Sequence, residues 1–173
     1  MGKGFKTIAD QHILLMVLQT KPKDPRHITV AELTAGKKVS CHILKSDYQL
    51  GATSQATVSE TEICNPGEGN APGAISYEGT ITIPRYLDEN GLPDAEADFA
   101  YELFRTPGTT LYLVEREGPL ESAAVAQGQE YDCYEVVTMA PRKPSDRFSG
   151  YQKRTVPLSI AAAYEGCKVA AAA

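Results

Sequence analysis

Six short runs of this chain have the composition or the two-residue period of β-strands, and each is closed off by glycine, proline or small polar residues. In "KVSCHILK", Val39, Cys41 and Ile43 fall on one face and Ser40 and His42 on the other, the period of a half-buried strand. "TVSETEIC" sets Thr57, Ser59, Thr61 and Ile63 against Val58, Glu60, Glu62 and Cys64, a mostly polar strand that is wet on at least one face. "ISYEGTITIPRYLDENG" puts Ile81 and Ile83 on one side and Thr80 and Thr82 on the other, and Pro84 demands an edge or a bulge. "LYLVERE", "EYDCYEVVTM" and "KRTVPLSIAAA" supply three more strands, the last two separated by a polar loop. One substantial helix is expected over Asp94 to Arg105, with Asp94 as its cap and Phe99, Leu103 and Phe104 packing on the sheet. Strands that do not alternate with helices place the chain in the mainly β class, as a β-sandwich or small barrel with one flanking α-helix.

A chain of 173 residues that is 42% hydrophobic and 23% charged is long enough for one domain with a sizeable core. The expected division is an N-terminal arm over residues 1–27, a β domain over residues 28–163 and a tail over residues 164–173. The arm holds the apolar run "HILLMVL", too apolar for water and cut off from the domain by "KPKDP". That run is expected to lie against a neighbouring subunit. It is also far shorter than the roughly 20 residues of a membrane-spanning helix, and no cleavage site follows it, so no membrane contact is expected. Asp and Glu outnumber Lys and Arg by 22 to 17, which argues against a broad surface for gripping nucleic acid.

Catalytic chemistry finds little support. "GEGNAPG" is followed by a strand and carries prolines where a phosphate cradle needs backbone amides, so it reads as a connecting turn. Cys41 and His42 are strand neighbours that point to opposite faces and cannot pair. Glu60 and Glu62 share a face and in principle hold a proton or a metal, but a solvated strand face is the simpler reading. The four cysteines lack close spacing and read as small apolar core residues with reduced thiols, although a disulfide stays open. No cofactor, metal or catalytic residue is assigned. The basic loop with Arg142, Lys143, Arg147, Phe148 and Tyr151 is compatible with single-stranded nucleic acid. In an acidic chain it reads better as a subunit interface.

Taken in order, "VAELTAGKKVSCHI", "YEGTITIPRYLDENG", "GTTLYLVEREG", "YEVVT" and "SGYQKRTVPLSI" resemble the major tail, or tail tube, protein of long-tailed bacteriophages, especially those of actinobacterial hosts. The resemblance spans Ile28 to Ala162 and leaves the extension from Met1 to about Asp24 outside the pattern. It implies two packed antiparallel sheets with a flanking helix, and hexameric rings stacked into a tube that conducts DNA during ejection. The implied partners are copies of the chain itself, a tape measure protein, and tail-tip and tail terminator proteins. The implied place is the virion, after assembly in the host cytoplasm. The resemblance also implies that the loop Ser46 to Ala56 reaches the adjacent ring, through Ser46, Asp47, Tyr48, Gln49, Leu50 and Gly51, with Tyr48 and Leu50 as apolar anchors. Glu60 and Glu62 are the candidate channel-facing pair. The alternative reading is a small soluble ligand-binding β-barrel, which the absence of Trp and the polar second strand disfavour.

Overall fold

The computed structural model describes residues 9–60, 63–64 and 69–171. Seven strands form one antiparallel sheet: β1 (Ile13–Leu18), β2 (Lys37–Lys38), β3 (Gln49–Glu60), β4 (Gly69–Pro84), β5 (Thr110–Glu117), β6 (Glu130–Thr138) and β7 (Lys153–Lys168). Two short helices accompany them, α1 (Val30–Ala35) and α2 (Phe99–Phe104). The strand order is β2-β1-β5-β6-β7-β4-β3, so the mainly β class holds, with hydrogen bonds running through a single sheet where two packed sheets were expected. Strong curling gives this sheet the layered interior of a sandwich. Tyr48, just before β3, donates its hydroxyl to Glu115 on β5, whereas strands four places apart in a flat sheet stand about 19 Å from each other.

The middle of the sheet is buried on both faces, which is why its strands read as dense apolar runs. Leu15, Val17, Leu111, Leu113, Val136 and Val156 point into one core with Ile81 and Ile83, and α2 closes it with Phe104, which is fully buried, and with the half-buried Phe99 and Leu103. The alternate residues Leu14, Met16, Tyr112, Val114, Tyr131 and Cys133 form a second core under α1, joined by Ile28 and Leu33. The start of α1 is set by a capping box. Thr29 accepts from the Glu32 backbone N–H, and Glu32 accepts from that of Thr29.

The apolar run of the supposed arm belongs to the subunit's own sheet. β1 pairs along its whole length with β5, from Ile13 opposite Glu117 to Leu18 opposite Tyr112. Leu14 to Leu18 are all buried, at 0 to 8% exposure. The expectation that this run covers a neighbour is therefore corrected. Its cause was the "KPKDP" break, and that segment is tied down: the Tyr131 hydroxyl donates to the Pro25 carbonyl and accepts from the Ile28 N–H.

Five further expectations change. "KVSCHILK" is a strand only at Lys37–Lys38. Leu15 N–H donates to the Ser40 hydroxyl instead of a ladder carbonyl, and the chain turns at Ser40–His42 and crosses to β4, where Leu44 N–H meets the Thr82 carbonyl. The helix is shorter than Asp94 to Arg105 because Asp94 caps a turn, accepting from the Glu96 and Ala97 N–H groups, before α2 begins at Phe99. Pro84 needs neither an edge nor a bulge, because it is the last residue of β4, which lies next to the edge strand β3, between it and β7. β7 continues past Ala163 to Lys168, so the residues taken as a tail pair with β6, and Cys167 and Val169 are buried. Only Cys133 and Cys167 are core cysteines, whereas Cys41 and Cys64 are exposed.

The lone arginine of "ISYEGTITIPRYLDENG" has a structural task. Arg85 grips the buried carboxylate of Asp98 through Nε at 2.9 Å and Nη2 at 2.6 Å, and lies 4.0 Å from the centre of the Tyr101 ring. Asp98 also accepts from the Tyr86 N–H, so one carboxylate ties the end of β4 to the start of α2.

Candidate functional site

β4 pairs with β7 only from Gly79 to Pro84, yet it pairs with β3 as far as Glu60 opposite Gly69. The part of β4 before Gly79 therefore leaves the body of the sheet with β3 as a two-stranded ribbon. Ala52 to Ser59 on one strand are exposed, as are Ala74 to Ser76 on the other, with Val58 and Ile75 at 48% and 46%. Small polar side chains on both faces give no core to bury, and an isolated two-stranded ribbon is marginal in water. β3 is also the last strand of the sheet. Among the described residues nothing pairs with its outer edge, and the strand has no Lys or Pro to block pairing with another chain.

This ribbon corrects the expected loop. Ser46 and Asp47 lie in a single helical turn over Lys45–Asp47, Tyr48 follows, and Gln49, Leu50 and Gly51 open β3. The six residues assigned to a reaching loop form the root of the ribbon. Leu50 and Tyr48 pack on the first core, and the Thr82 hydroxyl donates to Asp47 at 3.5 Å. Gly51 has φ +140°, and a Cβ there would stand 3.4 Å from the Tyr134 hydroxyl, so the root is shaped for glycine. Glu60 closes β3; its side chain, and Glu62 entirely, lie outside the described residues.

Sequence reasoning missed the acidic ground on which the root stands. Glu115 receives the Tyr48 hydroxyl and sits opposite Asp132 in the β5–β6 register, with Glu117 two residues along. Tyr134 donates to Glu165 at 3.0 Å beside it. Burial pushes the Glu115 carboxyl above its usual pKa, and Glu117 and Asp132 push the same way, against the lowering by Tyr48. A carboxyl whose folded pKa is raised adds stability that is complete below its unfolded value and is lost as pH rises through the folded one. Glu115→Gln is therefore expected to raise the melting temperature at pH 7.5, with the gain shrinking towards pH 4. A variant less stable than the parent at pH 7.5 would show that the charged form is the favoured one. The alternation of "LYLVERE" was the available signal, since it sets Glu115 on the face of Leu111 and Leu113.

The basic loop leaves the opposite end of the sheet, between β6 and β7. Arg142 and Thr155 exchange backbone hydrogen bonds at 2.7 and 3.0 Å, and the chain then turns so that Arg147 N–H meets the Pro144 carbonyl. Asp146 is held by Lys153. Arg142, Lys143 and Arg147 remain exposed to solvent, with Phe148 at 88% and Tyr151 at 76% exposure, and the Arg147 guanidinium is 4.8 Å from the Phe148 ring centre. The ribbon root and this loop are thus separate surfaces. Among the described residues no group of His, Cys, Asp and Glu is arranged to hold a metal ion, and no helix is long and apolar enough to cross a membrane.

A family model described as "Phage tail tube protein" matches residues 1–173. No curated protein matches the chain.

Proposed function

Because the chain belongs to the phage tail tube protein family, a structural family of the virion whose members build a tube, we propose that it assembles as hexameric rings stacked into the tail tube of a long-tailed phage. The observation that carries this reading is the ribbon with its free β3 edge. An edge of 12 residues without blocking side chains pairs readily with a neighbour. The ribbon projects past the body of the fold, so its outer half has contacts to make only with other copies. Its root, Ser46 to Gly51, holds it at a fixed angle, and the ribbon reaches the adjacent ring. The formal net charge of -5 suits a conduit, since strong cationic contacts would hold a passing DNA polyanion. A tape measure protein inside the tube, with tail-tip and terminator proteins at its ends, completes the set of partners, and assembly takes place in the host cytoplasm.

The test is excision of the ribbon. Replacing residues 53–76 with Asn-Gly joins Ala52 to Tyr77, which are already register partners, by a two-residue turn. The melting temperature is expected to stay near the parent's, because the described side chains that are removed are mostly exposed. Long tubes are expected to disappear from electron micrographs. Tubes of normal length from this variant would place stacking elsewhere, and uniform monomers of the parent at high concentration, even with a tail-tip initiator, would favour the ligand-binding barrel.

A further inference from the structure

We propose that the aromatic turn carrying Phe148 and Tyr151 docks in an apolar groove beside β1 of a second copy of this chain, an end-to-end contact that rests on the tube reading above. The groove has a volume of about 790 Å³ and is lined by Ile13, Leu15, Ile43, Leu44 and Leu120, with Cys41 on its wall. Ile13 is 36% and Leu120 49% exposed, so apolar surface stands open to water there. The far wall is held in place by a buried guanidinium. Arg116 donates through Nη2 to the Leu120 carbonyl at 2.6 Å, and through Nη1 to the Ala123 carbonyl and Gln129 Oε1, both at 3.1 Å. The groove is therefore preformed, as a docking site should be.

Charge complementarity selects the occupant. Asp10 and Glu121 lie on the rim, engaged by Lys45 and Lys38, and Glu117 is exposed directly opposite Ile13 in the register. The aromatic turn brings Arg142, Lys143 and Arg147 around two exposed rings, so Glu117, the carboxylate beside the groove that no lysine engages among the described residues, can meet a base-rimmed aromatic knob. The strand directions make the contact directional. The groove adjoins Glu117 at the end of β5, whereas the turn leaves β6 just after Val137, the partner of Thr110 at the start of β5. The length of β5 separates them by about 24 Å. Surfaces at opposite ends of one fold cannot meet within a subunit, and their pairing between copies is heterologous, so it repeats along a line as stacking requires.

The native Cys41 makes the contact testable. Tyr151→Cys in the full chain, with diamide as oxidant, is expected to give a ladder of disulfide-linked oligomers on a non-reducing gel. The ladder should vanish when Cys41→Ser is added and survive Cys64→Ser. The paired substitution Phe148→Ala with Tyr151→Ala, at exposed positions, is expected to leave the melting temperature unchanged and to raise the concentration needed for assembly at least about tenfold. Tubes without a Cys41-dependent ladder would overturn the contact and leave the tube reading standing. Neither tubes nor ladder would overturn both. Absence of the ladder, with Cys41 becoming reactive to a maleimide only when residues 1–8 are deleted, would assign the groove to the chain's own first residues and overturn the contact as well.

Discussion

Deleting residues 1–23 is expected to leave a chain that does not fold. The deletion removes β1, and with it Leu14, Leu15, Met16, Val17 and Leu18, all buried and divided between both cores. Each such side chain contributes about 1.5 to 3 kcal/mol by leaving water, against a stability of about 5 to 15 kcal/mol for a whole domain. Full loss of β1 also strips β5 of its partner along six paired residues and exposes the middle of the sheet as an edge. Far-ultraviolet circular dichroism and a urea titration decide the matter. A cooperative unfolding transition retained by the shortened chain would return the run to the status of an arm.

The second large effect is expected at Asp98. Its carboxylate is 1% exposed and holds Arg85 through two guanidinium nitrogens, so Asp98→Ala leaves a largely buried cation without its counter-charge. Breaking a buried pair in this way costs about 3 to 5 kcal/mol, a fall in melting temperature of about 6 to 20 °C for a chain of this size. Replacing both partners by apolar residues, Arg85→Met with Asp98→Leu, is expected to cost less than Asp98→Ala alone, because no charge is then stranded. If Asp98→Ala melts within about 2 °C of the parent, the tie between β4 and α2 is redundant.

The parts of this fold that could be read from sequence are those where side-chain chemistry alone fixes the outcome. β5 and β6 carry apolar residues at every second position or denser, because both faces of the central sheet are buried, and their runs were recognisable as strands. β3 is legible only from Thr57, inside "TVSETEIC"; its earlier part reads as a loop because Ala52 to Ala56 have water on both sides, and the strand exists there through its backbone ladder with β4. Asp94 reads as the helix cap from sequence, yet α2 begins only after Asp98. The choice fell to the distant Arg85, which captures Asp98 and leaves Asp94 to cap the preceding turn. The exposed rings Phe148 and Tyr151 among basic residues could be picked out locally, but the groove needs β1, the turn after β2 and the loop after β5 brought together, and no local pattern announces that.

The contrast between β5 and the ribbon has a dynamic side. β5, covered on both faces and paired on both edges, can exchange its amide hydrogens with solvent only when the whole domain opens. The outer half of the β3–β4 ladder is wet on both faces and has register irregularities at Ala52/Ser54 and Gln55/Thr57, so it can open locally and close again without disturbing either core. A neighbour that captures the ribbon therefore draws on conformational freedom held outside the cooperative unit. The subunit can refit its projecting element to each new contact while the unfolding free energy of its body stays the same.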